Sequence, residues 1–187
     1  MGCHGGFSLG ESIRRGWFNP EKALKDIGLR TGMVFVDVGC GDGFYALLAA
    51  ERVGNTGKVY AVDADAQAIE RLKRKITEQG LANVSVKTAR AENTIFCEGC
   101  ADMVFYSIVL HDFHDAAKVL ANANQMLKPS GKLVNIDWKK EPMEHGPPLR
   151  IRFSEEEAKD LIETAGFKVE TMRDAGCNHY IITARKL

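Results

Sequence analysis

The sequence is constrained most by one stretch near residue 40, where an apolar strand breaks at a glycine-rich turn and the chain continues as a helix. Val34–Val38 is a short, β-branched run with one carboxylate, Asp37. Such a run predicts a strand with apolar contacts on both faces, as in a parallel sheet. Three glycines follow at alternate positions: Gly39, Gly41 and Gly43. Because glycine has no side chain, the backbone can turn tightly there and approach a ligand closely. Phe44–Ala50 then has the pattern of an apolar helix, so we expect the turn to present backbone N–H groups beside a helix N-terminus.

The turn follows the carboxyl end of a strand, which is where open α/β sheets bind nucleotide-like ligands. A dinucleotide-binding turn would have the spacing G-x-G-x-x-G, whereas Phe44 follows Gly43 here and the spacing is G-x-G-x-G. A second short apolar strand, Val59–Asp63, ends in a carboxylate 24 residues after Gly39. An acid at this place can accept hydrogen bonds from the hydroxyl groups of a ribose.

The rest of the chain alternates between helix and strand signals. Helix starts are predicted at Asn19-Pro20, at Asp65, at Asp115 and at the capping box of Ser154 and Glu157. Strands are predicted at Val84–Lys87, Ala101–Leu110, Leu133–Trp138, Phe167–Arg173 and Asn178–Ala184, with Pro129–Lys132 as a turn. This alternation is typical of an α/β fold with a largely parallel sheet.

A strand, a D-x-G-x-G-x-G turn, a helix, a strand and an acid together resemble the core of the class I S-adenosylmethionine-dependent methyltransferases, in particular the small UbiE-like (type 11) kind. The block Leu127–Leu133, with the sequence LKPSGKL, is similar to one that precedes the fifth strand in that family. The resemblance implies a Rossmann-like, doubly wound, seven-stranded sheet of order 3-2-1-4-5-7-6 with strand 7 antiparallel. It covers residues 19–187 as a single domain, and residues 1–18 are expected to be an N-terminal cap segment.

The same resemblance implies which residues bind the cofactor. Gly39, Cys40, Gly41 and Gly43 would hold the methionine moiety, with Asp37 bracing the turn; Asp63 and Ala64 would meet the ribose, Ala91 and Glu92 the adenine, and Ser107 and Leu110 the sulfonium. Arg90 stands where many relatives have Asp, so the residue that contacts adenine stays open. The fourth strand does not end in the [DNS]-P-P-[YFW] signature of adenine-N6 or cytosine-N4 methylation, which counts against those reactions.

His111 and His114 follow the fourth strand and stand beside two aspartates. Zinc needs three or four convergent ligands, so no metal site is predicted here. If the reaction uses a general base, His111 is the catalytic candidate in the sequence.

The cysteines are candidates for a metal or redox site. Five cysteines, an odd number, argue against a disulfide framework. Cys97 and Cys100 have the spacing of half a zinc site or of a redox pair, but no second C-x-x-C accompanies them, so we interpret the pair as structural or incidental. A soft metalloid such as arsenite, bound with help from Cys40 and Cys177, stays open as a minor alternative.

The amino-acid composition indicates which classes of partner the chain can bind. Lys plus Arg and Asp plus Glu balance at 25 each, so the chain has no basic footprint for nucleic acid. It also lacks the apolar stretch of a signal peptide and any run long enough to span a bilayer. These patterns predict a cytoplasmic protein with a small-molecule methyl acceptor, no membrane partner, and a homodimer as an open option.

The sequence therefore predicts an S-adenosylmethionine-dependent methyltransferase that moves the sulfonium methyl group to a small-molecule acceptor by direct displacement and releases S-adenosylhomocysteine. The sulfonium methyl is already electrophilic, so alignment alone can supply about 7–11 kcal/mol of the barrier. Methylation of protein or RNA, methylation of a metalloid, a nicotinamide-dependent oxidoreductase and a non-catalytic cofactor-binding module are the alternatives.

Overall fold

The computed structural model describes residues 19–187, and these form one seven-stranded sheet flanked by helices. The strand order is β3-β2-β1-β4-β5-β7-β6. The strands are β1 (Val34–Val38), β2 (Lys58–Asp63), β3 (Val84–Thr88), β4 (Ala101–Ser107), β5 (Leu127–Trp138), β6 (Phe167–Ala175) and β7 (His179–Lys186). Neighbouring strands from β3 to β5 pair parallel, and β7 is antiparallel to both β5 and β6. The predicted fold class and strand order are therefore confirmed.

Five α-helices within residues 19–187 pack against this sheet. Four of them begin at a side chain that caps the helix, and the one that follows Gly43 has no side-chain cap. The five helices are α1 (Pro20–Asp26), α2 (Phe44–Val53), α3 (Ala66–Glu78), α4 (Ala116–Met126) and α5 (Glu155–Thr164). The side-chain oxygens of Asn19, Asp65 and Asp115 accept hydrogen bonds from backbone N–H groups of the first turns of α1, α3 and α4. Ser154 and Glu157 form the predicted capping box at α5. Local capping signals in the sequence therefore predicted the starts of four of these five helices.

The core lies on both faces of the central strand β1. Phe35 packs into one apolar cluster, with residues of α1, α2 and α3, whereas Val36 and Val38 pack into a second cluster with residues of α4 and α5. This two-sided burial explains why β1 is a continuous apolar run rather than an alternating one. It also leaves the carboxyl end of β1, where the glycine turn begins, as the part of the strand that can reach a ligand.

Strand β5 starts earlier than predicted. It begins at Leu127 rather than Leu133, because Ala101 of β4 already pairs with Leu127. The register then shifts, and Met103 pairs with Lys132, so four residues of β5 bulge out of the ladder. Ser130, with φ 59°, lies in this bulge, and its carbonyl accepts a hydrogen bond of 3.0 Å from Nη1 of Arg185. The predicted turn at Pro129–Lys132 is therefore an irregularity within a strand.

Two further expectations can be compared with the structure, one on the cysteines and one on membrane-spanning helices. Cys97 and Cys100 form a disulfide, a pairing that the odd number of cysteines did not predict. None of the helices between residues 19 and 187 is long and apolar enough to cross a membrane. The N-terminal cap segment, residues 1–18, lies outside the described residues, so the division of the chain at residue 19 stays a prediction.

Candidate functional site

The three glycines of the turn between β1 and α2 all have positive φ, but their surroundings differ. A Cβ atom on Gly39 (φ 76°) would lie 2.5 Å from Cγ2 of Val109, and one on Gly43 (φ 93°) would collide with Leu72. Gly41 (φ 54°) has nothing within 4 Å of that position. The first and third glycines are therefore needed for packing against neighbouring elements. The second faces open space, and this is the place in the turn where a ligand can come close to the backbone.

The N–H groups of the turn are used inside the protein. The amides of Gly39 and Cys40 both donate to the carbonyl oxygen of Val62, at 2.8 and 3.0 Å, and the amide of Gly41 donates to Oδ2 of Asp63 at 2.7 Å. The expectation that the turn presents free N–H groups is wrong for these three residues. They tie the turn to β2, so a ligand would meet the open side of Gly41 and the carbonyl groups of the turn.

Asp63 lies directly beside the turn, as the sequence predicted. Its Oδ2 accepts from Gly41, and its Oδ1 accepts from the amide of Asp65 at 2.8 Å. Each carboxylate oxygen keeps a further lone pair, so Asp63 can accept hydrogen bonds from hydroxyl groups of a ligand while it also binds the amides of the turn. Ala64, between the two aspartates, is exposed at the same edge.

Two buried groups lie under the turn. The side chain of Asp37 is almost fully buried at the end of β1. Burial raises the pKa of the Cys40 thiol, and the charges of Asp37 and Asp63 raise it further. Cys40 is therefore a neutral thiol rather than a thiolate, which disfavours it as a ligand for a soft metalloid. Cys177 lies between β6 and β7, at the opposite side of the sheet from β2.

The predicted adenine-binding residues form a short 3₁₀ helix, Ala91–Asn93, after β3. Nδ2 of Asn122, on α4, donates to the carbonyl oxygens of Ala91 and Glu92 at 3.1 and 2.9 Å. Oε1 of Glu92 accepts from the backbone amides of His114 and Asp115, at 3.1 and 3.4 Å. Glu92 thus ties this helix to the start of α4, and Asn122, which the sequence analysis missed, braces the helix from below.

The chain leaves β4 in a strained conformation. Ile108 has φ 59°, which is rare for a β-branched residue, and its amide donates to the carbonyl of Ile136 at 2.7 Å. This bend presses Val109 against Gly39, so the exit of β4 lies on the glycine turn. Ser107 is half-buried at this exit, whereas the side chain of Leu110 is fully buried in the core. Of the two residues predicted at the sulfonium, Ser107 is the better placed to contact a ligand with its side chain.

His111 follows this exit and pairs with a carboxylate of β5. Its Nδ1 lies 2.7 Å from Oδ1 of Asp137, and both side chains are only 2% exposed. The same Oδ1 accepts from the amide of Trp138 at 2.8 Å. Burial lowers the pKa of His111, but the hydrogen bond and charge of Asp137, with the charge of Asp112, outweigh it and the pKa is raised. Asp137 was not singled out from the sequence.

A second buried cluster lies beside this pair. The ring of Trp138 packs on that of His179 with 4.2 Å between centroids, and the guanidinium of Arg152 lies 5.7 Å from the Trp138 ring. Arg152 also donates to the carbonyls of Pro147, Lys139 and Glu141, and so fixes the loop after β5. Burial, with the charge of Arg152, lowers the pKa of His179 to about 4. Trp138 is therefore a core residue.

Within residues 19–187, no cluster of three or more His, Cys, Asp or Glu side chains is arranged to hold a metal ion. The groups present at the turn are instead a carboxylate at its edge, Asp63, a buried carboxylate below it, Asp37, and Gly41, which has open space beside it. These groups fit a ligand with ribose hydroxyls and an ammonium group, such as S-adenosylmethionine.

Comparison with known proteins gives the same result. Residues 29–172 match the family described as a methyltransferase domain. An S-adenosylmethionine-dependent methyltransferase of Aquifex aeolicus is 31% identical, with a TM-score of 0.87, over 96% of this chain and 100% of that one.

Two curated relatives are similar at the sequence level. A demethylmenaquinone methyltransferase of Geobacillus sp. strain WCH70 is 30% identical over 67% of this chain and 54% of that protein. A ubiquinone/menaquinone biosynthesis C-methyltransferase, UbiE, of Francisella philomiragia is 31% identical over 68% of this chain and 51% of that protein. The chain thus spans about half the length of the curated relatives that it matches.

Proposed function

The chain belongs to the class I S-adenosylmethionine-dependent methyltransferases, and from this premise we propose that it methylates a small-molecule acceptor by direct displacement at the sulfonium methyl. The observation that carries the proposal is the contact between the turn and β2. Asp63 accepts from Gly41 at 2.7 Å, next to the one glycine of the turn with open space beside it. A nucleoside placed there would have its ribose at a carboxylate and its amino-acid part along the turn.

The proposed roles of the site residues follow the elements that carry them. Gly39, Cys40, Gly41 and Gly43, braced by Asp37, hold the methionine moiety; Asp63 and Ala64 bind the ribose, Ala91 and Glu92 the adenine, and Ser107 and the backbone of Leu110 lie at the sulfonium. When bound, the cofactor supplies an electrophilic methyl group. The protein's part is to align the acceptor with it and to exclude water, which is the larger share of catalysis when the electrophile is already activated.

A small-molecule acceptor is supported by two observations. Positive and negative side chains balance over the whole chain, which gives no electrostatic attraction to a polyanion. The names of the two curated relatives refer to small molecules, namely demethylmenaquinone, ubiquinone and menaquinone. A protein or RNA acceptor is the second candidate, and the homodimer and the cytoplasmic location stay predictions.

Calorimetry tests the cofactor site. Asp63→Ala removes the ribose acceptor and the bond to Gly41, so we expect S-adenosylmethionine to bind at least about tenfold more weakly, since one lost charge-assisted hydrogen bond is worth about 1.5–3 kcal/mol. Glu70→Ala is the matched control, because Glu70 is an exposed acid on α3 that pairs with Lys73. Unchanged affinity in Asp63→Ala, or equal losses in both variants, would remove Asp63 from the site.

The acceptor is tested by turnover. The purified protein is incubated with isotopically labelled S-adenosylmethionine and either a metabolite extract or a protein and RNA extract. Label in small molecules supports the proposal, and label in protein or RNA alone supports the second candidate. If the protein binds the cofactor and labels neither extract, it is a binding module and the proposed transfer is wrong.

A further inference from the structure

Asp137 is a buried acid whose position the fold alone does not require. Its Oδ1 accepts from the amide of Trp138 and from His111, whereas its Oδ2 is buried without a hydrogen-bond partner within residues 19–187. A buried carboxylate with one unsatisfied oxygen is costly, and a hydrophobic side chain would fill this place in β5 at lower cost. Its contact with His111 is therefore the feature to explain.

We propose that Asp137 is a positioning residue that holds His111 with Nε2 ready to take a proton from a hydroxyl group of the methyl acceptor. The inference rests on the proposed function and narrows it. It assigns the acceptor to compounds that present a neutral hydroxyl, such as a phenol or an enol, rather than to thiolates, which need no base.

The contact with Asp137 determines which nitrogen of the neutral ring carries the proton. A carboxylate can only accept hydrogen bonds, so the 2.7 Å contact requires the proton of the neutral ring to sit on Nδ1. Nε2 is then the acceptor atom. It lies 3.5 Å from Oδ1 of Asp112, with which it pairs when the ring is protonated. The Asp112 side chain is 59% exposed, whereas that of Asp137 is 2% exposed, so Nε2 is the ring nitrogen on the side of the more exposed carboxylate.

The backbone brings this nitrogen to the cofactor side. Val109, two residues before His111, packs against Gly39 at the start of the glycine turn. His111 and Asp137 lie after β4 and at the end of β5, and these two strands are paired in the sheet. An acceptor at this edge would meet His111 from one side and the glycine turn from the other.

The charges around the ring favour a stronger base. Asp137 of β5 is negative, as is Asp112, which lies with His111 in the 3₁₀ helix Leu110–Asp112. Arg152, before α5, is the positive group that acts against them. Tyr180 of β7 faces Asp137, and burial, with the charge of Asp137, raises the pKa of its phenol, so this group stays neutral. The pKa of His111 is raised as a result, which increases its affinity for the acceptor's proton.

The proposed step balances. The acceptor's O–H bond breaks and its proton passes to Nε2 of His111, while an oxygen electron pair forms the new bond to the methyl carbon. The electron pair of the methyl–sulfur bond stays on sulfur, so S-adenosylhomocysteine leaves as a neutral thioether. His111 then releases the proton to solvent, and no oxidant or further reactant is needed.

Nuclear magnetic resonance of the protein labelled with ¹⁵N-histidine tests the positioning without any acceptor. We expect the neutral His111 ring to carry its proton on Nδ1 and to titrate above the usual value of about 6.5. Asp137→Asn should lower that midpoint, and Asp112→Asn, which removes a more distant charge, should lower it less. A proton on Nε2, or a midpoint that Asp137→Asn leaves unchanged, would overturn the inference.

Two acceptors of the same shape test the chemistry. 2-Naphthol needs a base near neutral pH, whereas naphthalene-2-thiol ionises more readily. His111→Gln should slow methylation of the naphthol about 100-fold or more, the usual contribution of a general base, and that of the thiol less than tenfold. The wild-type rate with the naphthol should rise with pH through the His111 midpoint, and Asp137→Asn should move that rise to lower pH.

Calorimetric binding of S-adenosylmethionine to the same preparations separates the two proposals. If the wild-type protein does not bind the cofactor, the proposed function itself fails. If it binds the cofactor, the inference fails when neither naphthalene is methylated, when His111→Gln slows both equally, or when Asp137→Asn leaves the pH profile in place.

Discussion

At the scale of single residues, Gly39 and Gly41 have the same backbone handedness and different surroundings. An alanine at either position would adopt a left-handed conformation, which costs about 1–2 kcal/mol. Gly39→Ala would also push a methyl group to within 2.5 Å of Val109, and such overpacking costs typically about 1–3 kcal/mol. We expect Gly39→Ala to lower the free energy of unfolding by about 2–5 kcal/mol, measured by urea denaturation.

Gly41→Ala is the matched variant. It should cost only about 1–2 kcal/mol of stability, because a Cβ atom there meets nothing within 4 Å. For each variant, the loss of S-adenosylmethionine affinity is compared with the loss of stability. The ratio of the affinity loss to the stability loss should be larger for Gly41→Ala than for Gly39→Ala. If both variants lose equal stability and Gly41→Ala binds the cofactor normally, the open space at Gly41 is not the ligand's place.

Among the helices, α4 carries two asparagines whose side chains each donate hydrogen bonds to backbone carbonyls of a different segment. Asn122 donates to the carbonyls of Ala91 and Glu92 in the 3₁₀ helix after β3, and Asn124 donates to the carbonyls of Ala165 and Gly166 after α5. Replacing either by alanine leaves carbonyl groups without a donor, so each variant should lose about 1–3 kcal/mol in urea denaturation. Only Asn122→Ala should also weaken cofactor binding, by about threefold to tenfold in calorimetry.

That pair also separates what the sequence could predict from what it could not. Helix caps at Asn19 and Ser154 act within three residues, so their pattern is visible in the chain. Asn122 acts on residues 30 and 31 positions away, and Asp137 acts on His111 from 26 positions away. Such contacts depend on how strands stack in the sheet, and no local spacing encodes them. The early start of β5 was missed for the same reason, since pairing with Ala101 determines it.

At the scale of the whole molecule, the order of the strands decides which of the predicted residues meet. Because β1 lies between β2 and β4, the glycine turn contacts Asp63 on one side and the exit of β4 on the other. The family resemblance predicted this order, and both the sheet and the comparison with the Aquifex aeolicus methyltransferase confirm it. The same order pairs β5 with β7, so that Trp138 and His179 stand opposite each other.

The buried His179 makes the stability of the whole fold depend on pH. Its pKa is lowered from 6.5 to about 4, by burial first and then by the charge of Arg152. Between these values the unfolded chain binds a proton that the folded chain does not, so stability falls as the pH falls through this window. A shift of this size corresponds to about 3 kcal/mol. The raised pKa of His111 acts in the opposite direction, because its stabilising effect is lost as the pH rises through the folded value.

Urea denaturation from pH 7 to pH 4 tests the contribution of His179. His179→Phe keeps an aromatic ring against Trp138 and removes the titrating group, so its free energy of unfolding should fall less than that of the wild-type protein over this range, by up to about 3 kcal/mol. His114→Phe, which replaces an exposed histidine before α4, is the matched control for the substitution itself. Identical slopes for His179→Phe and the wild-type protein would mean that His179 titrates alike in the folded and unfolded chains, and that its burial between β5 and the loop held by Arg152 is not maintained in solution.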